Sequence, residues 1–344
     1  MNGATEIITQ VDEIGRYGAA VFHVTKREFS DAGYESGDIV DLAIGGKNFT
    51  APCGESYSDV DSHCLILLKI ALDERMLLAV NNRAGFAGEN GIRPGDPVVI
   101  RMREKGGYLK EYALRSVTMS GNREDYTSDE EFANFRNVLA GNIAERKLYR
   151  GFSPINPADS RNLFADRLLS ETLVKTVINL DNEKECEREK YDGYQDTFYS
   201  RLTIIPVKMS FSPEESGFFD GLSSALSALS ENPAPYYIHC RYSRDRTGLL
   251  CMILESLCHA TLSEITEDYM LSYENIHHLE RYSEKWNFQA CQHVNEVLSR
   301  MTGIENIEQA DAAAITDAIR SMLLLRCGLS QETLTRIEQN LCES

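Results

Sequence analysis

One segment near residue 240 constrains this chain more than any other part of its sequence. Residues 235–248 read PYYIHCRYSRDRTG and join an apolar, β-type run at 236–239 to a helix that starts near Arg246. The residues after Gly248 are apolar on almost every side, which predicts a buried central helix. A loop that leaves a strand and enters a buried helix within so few residues indicates an α/β layer. Cys240 and Arg246 then stand at the two ends of a tight turn.

A turn of this kind is suited to hold an anion. Backbone N–H groups converge where a strand passes into a helix, and the helix amino terminus adds roughly half a positive charge. The same field stabilises an ionised sulfur at Cys240. The planar guanidinium of Arg246 can bind two phosphate oxygens at once, which a lysine does less well. The sequence therefore predicts a phosphate site with Cys240 as its nucleophile.

The neighbours of Arg246 add acid–base chemistry and charge. The Thr247 hydroxyl can donate to the sulfur, and the Asp245 carboxyl can protonate a leaving oxygen and then activate water. Residues 241–250 contain three arginines and one aspartate, a local charge of +2 within an acidic chain. Two interpretations of Arg241 and Arg244 stay open: they hold additional phosphates of the substrate, or they are solvated surface residues.

The segment resembles the active-site loop of the cysteine-dependent tyrosine phosphatase superfamily, in the bacterial branch whose loop reads HCxAGKDRTG. The likeness extends over about 145–344. LYRG at 148–151 is similar to the "lyRS" element, TVINLD at 176–181 with Glu183 to "tviDLR…E", TEDYMLS at 266–272 to "eeDYllS", and 325–341 to the terminal helical turn. The resemblance implies a phosphatase acting on phosphotyrosine, with phosphoserine, phosphothreonine, inositol phosphates and phosphoinositides as further candidate substrates. It implies a phosphocysteine intermediate, no metal and no cofactor.

The resemblance also implies roles for individual residues. Cys240 becomes the nucleophile, Arg246 the phosphate clamp, Asp245 the acid, and Thr247 the residue that assists the sulfur. The other residues of the segment are expected to contact the substrate: His239, Arg241, Tyr242, Ser243, Arg244 and Gly248. In the family, the residue at the position of His239 is also a structural partner that tunes the thiolate.

The loop departs from the family pattern at three positions. Tyr242, Ser243 and Arg244 stand where the family has Ala-Gly-Lys. Glycine is favoured where a backbone needs positive φ, so a serine there is costly. The Tyr242 ring is expected to crowd the pocket. These departures keep an alternative open: a catalytically inactive module that binds a phosphorylated ligand.

The candidates for the general acid are few. Asn179 replaces the aspartate of the family's "DLR" strand, and the segment after Ile205 lacks the mobile-loop aspartate of other branches. Asp245 therefore carries the prediction, with Glu214 and Glu215 as weaker candidates. His277 and His278 point about 100° apart on a helix and are predicted to be surface residues. No two of the nine cysteines are three apart, so a CxxC metal or redox site is absent.

The first third of the chain has a different pattern. Short alternating or apolar runs with turn residues between them occupy 19–118, which predicts a small all-β barrel. A polar stretch at 119–131 marks the boundary. The expected organisation is a barrel over 1–120, a linker with a connecting helix over 121–144, and an α/β phosphatase domain with a mostly parallel sheet over 145–344. Within the latter regions, helices are predicted at 129–139 and 214–229, and β-type runs at 172–180 and 202–208.

The barrel carries a weaker resemblance of its own. Residues 52–60, 76–81 and 91–100 are similar to the carboxy-terminal β-barrel domain of S-adenosylmethionine hydroxide adenosyltransferases and chlorinases. The domain that holds most of the ligand in that family has no counterpart here, which argues against adenosyl chemistry. The resemblance implies a role in subunit contact, hence a homo-oligomer, or in positioning substrate; a folded spacer is the alternative.

Charge and hydropathy exclude other partners. Thirty-five basic against 53 acidic residues give a net charge of −18, which argues against nucleic acid and acidic membrane surfaces. The longest apolar runs are far shorter than the roughly 20 residues of a membrane-spanning helix. The first residues lack a basic start and an apolar run, so the chain is expected in the cytoplasm. The expected partners are a phosphorylated protein or a small phosphoester.

Overall fold

The computed structural model describes residues 4–15, 17–61, 63–69, 74–81, 83–181, 193–210, 213 and 217–342. The chain divides into two compact units, Met1–Val117 and Thr118–Ser344. The first contains a closed barrel and the second a mixed sheet flanked by helices. The predicted fold class, an all-β barrel followed by an α/β domain, is confirmed.

The barrel of the first unit has seven described strands. They are β1 Ile7–Ile14, β2 Ala20–Thr25, β3 Ile39–Ile44, β4 Lys47–Gly54, β5 Leu65–Lys69, β6 Arg75–Val80 and β7 Pro97–Glu104. The order around the barrel is β1-β2-β6-β5-β4-β3-β7. The antiparallel pair β1 and β7 closes it, and only β4 and β5 pair in parallel among these strands.

The alternation in sequence explains the barrel. Along β3, Val40, Leu42 and Ile44 are buried while Asp41 is exposed. Strands with one buried face require this period of two. Three short helices lie between the strands or after them: α1 Lys26–Asp31, α2 Phe86–Glu89 and α3 Leu109–Arg115.

The sheet of the second unit sets the position of the predicted loop. Its strands are β8 Arg136–Asn137, β9 Leu148–Arg150, β10 Thr176–Asn179, β11 Thr203–Pro206 and β12 Tyr236–His239, in the order β11-β10-β12-β9-β8. All neighbours are parallel except β8 and β9. The central strands β10 and β12 are buried along their whole length, as parallel strands covered on both faces must be.

Nine described helices belong to the second unit. They are α4 Asp129–Phe132, α5 Arg161–Ser170, α6 Phe218–Glu231, α7 Asp245–Leu257, α8 Leu262–His277, α9 Glu284–Ala290, α10 Glu296–Thr302, α11 Ala312–Arg326 and α12 Gln331–Cys342. A π-helical segment, Cys291–Asn295, joins α9 to α10. Every residue of α7 from Thr247 onward is buried, so the prediction of a central helix after the loop is confirmed. No helix in the described part of the chain is long and apolar enough to cross a bilayer.

The predicted helix at 129–139 is wrong. Ser128 caps α4, but that helix ends at Phe132. Asn134 has a φ of 48°, a left-handed conformation that stops a helix. The chain then forms β8, which pairs with β9. Pairing with a distant strand overrides the local helical pattern.

The region predicted as a linker belongs to the second unit. In it, Tyr126 and Phe132 are buried, and their rings pack edge to face with centroids 5.0 Å apart. The predicted β-type runs at 172–180 and 202–208 contain β10 and β11. The predicted helix at 214–229 corresponds to α6. Glu183, Glu214 and Glu215 lie outside the described residues.

Candidate active site

Cys240 lies at the carboxyl end of the central strand. β12 pairs with β10 on one side and with β9 on the other, and Cys240 is the first residue after it. The strand-to-helix loop, defined as residues 240–244, leads directly into α7 at Asp245. Cys240 is only 3% exposed. In open α/β sheets, ligands bind at the carboxyl ends of the strands, and the loop occupies that edge.

Ser243 carries the backbone strain of the loop. Its φ is 56°, the conformation for which glycine is favoured. The residue is fully buried. Its carbonyl oxygen accepts hydrogen bonds from the Arg150 guanidinium and from the Ser272 hydroxyl at 3.4 Å. Asn134 Nδ2 donates to the carbonyl oxygens of Tyr242 at 3.2 Å and Ser243 at 3.4 Å. Surrounding contacts therefore hold the strained residue in place.

Arg150 belongs to a buried charge network behind the loop. The Asp268 carboxylate accepts hydrogen bonds from Arg150 and from Arg136 Nε, the latter at 2.7 Å. Burial opposes ionisation of Asp268, but the two guanidinium groups hold the pKa of its carboxyl well below the usual range. Burial, and after it the charge of Asp268, raise the pKa of Glu255, which favours the neutral form of Glu255 beside the Asp268 carboxylate. Arg150 is thus anchored at one end while it binds the loop at the other.

The Arg246 guanidinium lies at the carboxyl end of the neighbouring strand β10. Nη1 donates to the Leu180 carbonyl oxygen at 2.6 Å, and Nη2 donates to Asp181 Oδ1 at 3.2 Å. Both partners directly follow β10. The Arg246 side chain stays 28% exposed. Cys240 and the Arg246 guanidinium therefore lie at the ends of two adjacent strands, β12 and β10.

Asp245 is an ionised carboxylate in this arrangement. Arg244 Nε donates to Oδ1 at 2.8 Å, and Arg244 Nη2 donates to Oδ2 at 3.2 Å. Burial would raise the pKa of Asp245, but the charge and hydrogen bonds of Arg244 outweigh it, and the pKa is lowered. The Asp245 side chain is about one-third exposed, at 34%. Without a change in the Arg244 pair, this carboxyl accepts protons more readily than it donates them at neutral pH.

His239 is a neutral histidine beneath the loop. It is fully buried, and its Nε2 lies 3.0 Å from the Tyr199 hydroxyl. Its Nδ1 lies 3.2 Å from the Cys240 carbonyl oxygen. Burial is the main cause that lowers the pKa of His239 to about 4, and the charge of Arg246 acts in the same direction. Through its contacts with the Tyr199 hydroxyl and the Cys240 carbonyl oxygen, this buried side chain supports the start of the loop.

Arg241 and Tyr242 form the outer part of the loop. Arg241 is exposed, with its guanidinium carbon 5.1 Å from the centre of the Tyr242 ring. That ring packs edge to face against Phe152 with centroids 5.3 Å apart. The Ser153 N–H donates to the Arg241 carbonyl oxygen at 3.2 Å. Tyr242 is thus anchored by an apolar contact on the side of Phe152.

Gly248 and Thr247 lie in the first turn of α7. A β-carbon on Gly248 would stand 2.6 Å from Tyr269 Cε2, so close packing of α7 against α8 accounts for the glycine. The Thr247 Oγ1 and Asp181 Oδ2 atoms are buried with no hydrogen-bond partner among the described residues. Such atoms cost free energy unless water or a ligand pairs with them.

His277 is less exposed than the sequence predicted. It is partly buried at the end of α8, where it contacts Arg244. His278 does point outward, with a side chain that is 42% exposed. Within the described residues, no group of three or more histidine, cysteine, aspartate or glutamate side chains could hold a metal ion.

Sequence reasoning assigned no role to Arg150, Asp268 or Asn134. Arg150 and Asp268 fall inside two of the segments that carry the family resemblance, 148–151 and 266–272, and their position in those segments could have indicated a role. Asn134 had none, because its contact with the loop spans 108 residues of the chain.

A comparison with family profiles assigns the second unit of the chain to a known family. The profile of the tyrosine phosphatase family matches residues 130–343. No curated protein matches the chain in a sequence comparison.

Three solved structures are similar to parts of the chain at low identity. An uncharacterized conserved protein from Thermotoga maritima is 19% identical, covering 29% of this chain and 38% of its own, with a TM-score of 0.26. A conserved hypothetical protein from Thermus thermophilus is 18% identical, covering 29% and 36%, with a TM-score of 0.22. The chain thus spans less than two-fifths of these two proteins. The core catalytic domain of the PP-IP phosphatase SIW14 from S. cerevisiae, in complex with citrate, is 18% identical and covers 51% of this chain and 99% of its own, with a TM-score of 0.28.

Proposed function

Because the chain belongs to the tyrosine phosphatase family, we propose that this phosphatase hydrolyses phosphate monoesters through a phosphocysteine intermediate on Cys240. One observation carries the proposal. Cys240 directly follows the central strand and begins the loop that enters a buried helix, and the Arg246 guanidinium lies at the end of the adjacent strand. This is the arrangement in which loop N–H groups, a helix terminus and a guanidinium can bind a tetrahedral anion.

In the first step, the ionised sulfur of Cys240 attacks the phosphorus. The S–P bond forms while the bond from phosphorus to the ester oxygen breaks, and the leaving oxygen takes a proton from Asp245. Arg246 holds two of the phosphoryl oxygens as charge accumulates on them. Since the pKa of Asp245 is lowered in the free protein, this protonation is more effective at acid pH.

In the second step, water replaces the sulfur. The Asp245 carboxylate takes a proton from the water while the water oxygen attacks the phosphorus, and the S–P bond breaks. The Thr247 hydroxyl, which has no partner among the described residues, then stabilises the departing sulfur. The products are inorganic phosphate and the dephosphorylated alcohol or phenol.

The family resemblance and the charges at the loop support the candidate substrates. Phosphotyrosine is the first candidate, with phosphoserine, phosphothreonine, inositol phosphates or phosphoinositide head groups beside it. Arg241 is exposed at the loop and is available for a second phosphate, whereas Arg244 is engaged by Asp245. Turnover of a phosphotyrosine peptide and of inositol phosphates should be compared, with Arg241→Gln as the variant. A strong preference for the singly phosphorylated peptide would reject the multiply phosphorylated class.

The catalytic proposal is tested with an aryl phosphate in the presence of EDTA. The unmodified protein is expected to hydrolyse the ester, because no step uses a metal. Cys240→Ser should lose turnover and still bind inorganic phosphate in calorimetry. Binding without turnover in the unmodified protein would favour the alternative, an inactive module that binds a phosphorylated ligand.

The barrel has a separate set of tests. We expect it to support a homo-oligomer or to position substrate, and light scattering of the full chain tests the first of these. Calorimetry against adenosyl compounds tests ligand capture by the barrel, and a featureless titration would end that hypothesis.

A further inference from the structure

A line of hydrogen bonds leads away from Asp245 through Arg244 to His277. Arg244 Nη1 lies 2.7 Å from His277 Nε2, and His277 Nδ1 lies 2.8 Å from the Thr118 carbonyl oxygen. A guanidinium has donors and no acceptor. His277 Nε2 must therefore accept from Arg244, and Nδ1 must carry the hydrogen that goes to Thr118. The contacts fix both the neutral state of the imidazole and its tautomer.

These contacts fix Arg244 as well. Its Nε and Nη2 bind the two oxygens of Asp245, and Nη1 binds His277. Its guanidinium carbon lies 5.4 Å from the centre of the Tyr273 ring. All three nitrogens are thus engaged within the protein, and the Arg244 side chain is only 24% exposed. The guanidinium faces the carboxylate that the proposed mechanism uses.

We propose that His277 is a positioning residue for Asp245: it holds the Arg244 guanidinium against the carboxylate and thereby sets the pH range in which Asp245 donates its proton. The proposal rests on the proposed function, which assigns proton transfer to Asp245. His277 itself touches neither the loop cysteine nor Arg246 in any described contact, so it acts through Arg244.

The other titratable groups around Asp245 leave Arg244 as the main source of positive charge. The ring of His293 stacks against those of Tyr273 and Tyr269, with centroids 5.5 and 6.2 Å away. Burial and the charge of Arg244 lower the pKa of His277 to about 4, so this histidine adds no charge at neutral pH. The titratable groups around the Arg244–Asp245 pair are Tyr269, Tyr273 and His277 of α8, Lys285 of α9 and His293 of the π-helical segment. Loosening Arg244 therefore makes Asp245 hold its proton to higher pH.

The test compares two aryl esters across pH. Phenyl phosphate needs protonation of its leaving group, whereas dinitrophenyl phosphate does not, so only the first reports on the acid. With phenyl phosphate, His277→Ala should move the alkaline limb of kcat/KM upward by about one pH unit, and Arg244→Gln by at least as much. For dinitrophenyl phosphate, kcat/KM of the His277→Ala variant should differ by less than about twofold from that of the unmodified protein. In an Arg244→Gln background, His277→Ala should cause no further shift.

Matched variants separate positioning from a structural role. His277→Gln keeps an oxygen that can accept a hydrogen bond from Arg244. The alkaline limb of its kcat/KM profile should therefore lie at the same pH as in the unmodified protein. His278→Asn, at the exposed neighbour with a φ of 51°, should leave the profile unchanged. The proposal would be overturned if His277→Ala lowered kcat/KM equally for both esters. It would also be overturned if, in the Arg244→Gln background, His277→Ala shifted the alkaline limb by a further full pH unit. Failure of the proposed function looks different: the unmodified protein would then hydrolyse neither ester.

Discussion

At the scale of single residues, Ser243 is where local preference and tertiary structure conflict most. Its left-handed backbone is held by bonds from Arg150, Ser272 and Asn134. The sequence predicted that a serine here would be strained if the loop needed positive φ, and the φ of 56° fits that reasoning. The residues that hold it in place could not be predicted, because Arg150 precedes Ser243 by 93 positions.

Two substitutions at Ser243 measure this strain. Both Ser243→Gly and Ser243→Ala remove the hydroxyl, but only alanine keeps a β-carbon in the left-handed region. The glycine variant should be more stable than the alanine variant by about 1 kcal/mol. Urea unfolding followed by fluorescence of Trp286, the single tryptophan, measures the difference. Equal stabilities would show that the loop imposes no left-handed strain.

At the scale of elements, α7 and α8 approach closely because Gly248 has no side chain. A β-carbon at Gly248 would lie within 2.9 Å of two carbons of the Tyr269 ring, which is itself buried. Gly248→Ala should therefore destabilise the second unit by about 1–3 kcal/mol. Gly121→Ala is the control, because a β-carbon at that position would meet no atom within 4 Å. A Gly248 variant as stable as that control would contradict the packing.

Helix α8 is joined to strands β8 and β9 by the ion pairs of the Asp268 carboxylate. Asp268→Asn removes the charge that pairs with Arg136 and Arg150. Leaving two guanidinium groups without it should cost about 3–5 kcal/mol of unfolding free energy. Glu267→Gln, one residue earlier on α8, should stay within about 0.5 kcal/mol of the unmodified protein. Urea unfolding of both variants provides the comparison, and equal losses would contradict the role of the buried charge.

Elements were predictable where the hydrophobic pattern is long, and less so where it is short. The apolar residues of α7 and β12 indicated a strand, a loop and a buried helix in the observed order. The prediction of a helix over 129–139 was wrong in its length. Ser128 and three acidic residues do start a helix, but the helix ends early because Asn134 is left-handed and the residues after it pair with β9. Neither is visible in a local pattern. His277 was missed for a similar reason, since Arg244 reaches it across 33 positions.

At the scale of the whole molecule, stability should fall as the pH is lowered from 6.5 towards 4. His239 stays neutral in the folded protein because its pKa is lowered to about 4, whereas in the unfolded chain it takes a proton near pH 6.5. The unfolded state then binds more protons, so acid favours unfolding. The difference corresponds to roughly 3 kcal/mol for this residue.

Trp286 fluorescence during urea unfolding at several pH values measures this effect. The unmodified protein should lose stability across the interval from pH 6.5 to 4, and His239→Gln should lose roughly 3 kcal/mol less over the same interval. Identical slopes for the two proteins would contradict a neutral buried His239.

The fold class of the chain could be predicted from its sequence. The change from alternating runs to a strand-and-helix pattern predicted a barrel followed by an α/β domain, and both the observed strand order and the match to the family profile agree with that prediction. Against the net charge of −18, the local charge of +2 at residues 241–250 favoured a multiply phosphorylated substrate.

The central claim is that the phosphoryl group passes through Cys240. The protein should be mixed rapidly with an aryl phosphate, quenched in acid, digested and examined by mass spectrometry. We expect one phosphoryl group on the peptide that contains Cys240, and none in Cys240→Ser, which should also fail to turn over. A phosphoryl group on another residue, or a Cys240→Ser variant that hydrolyses the ester as fast as the unmodified protein, would contradict the account.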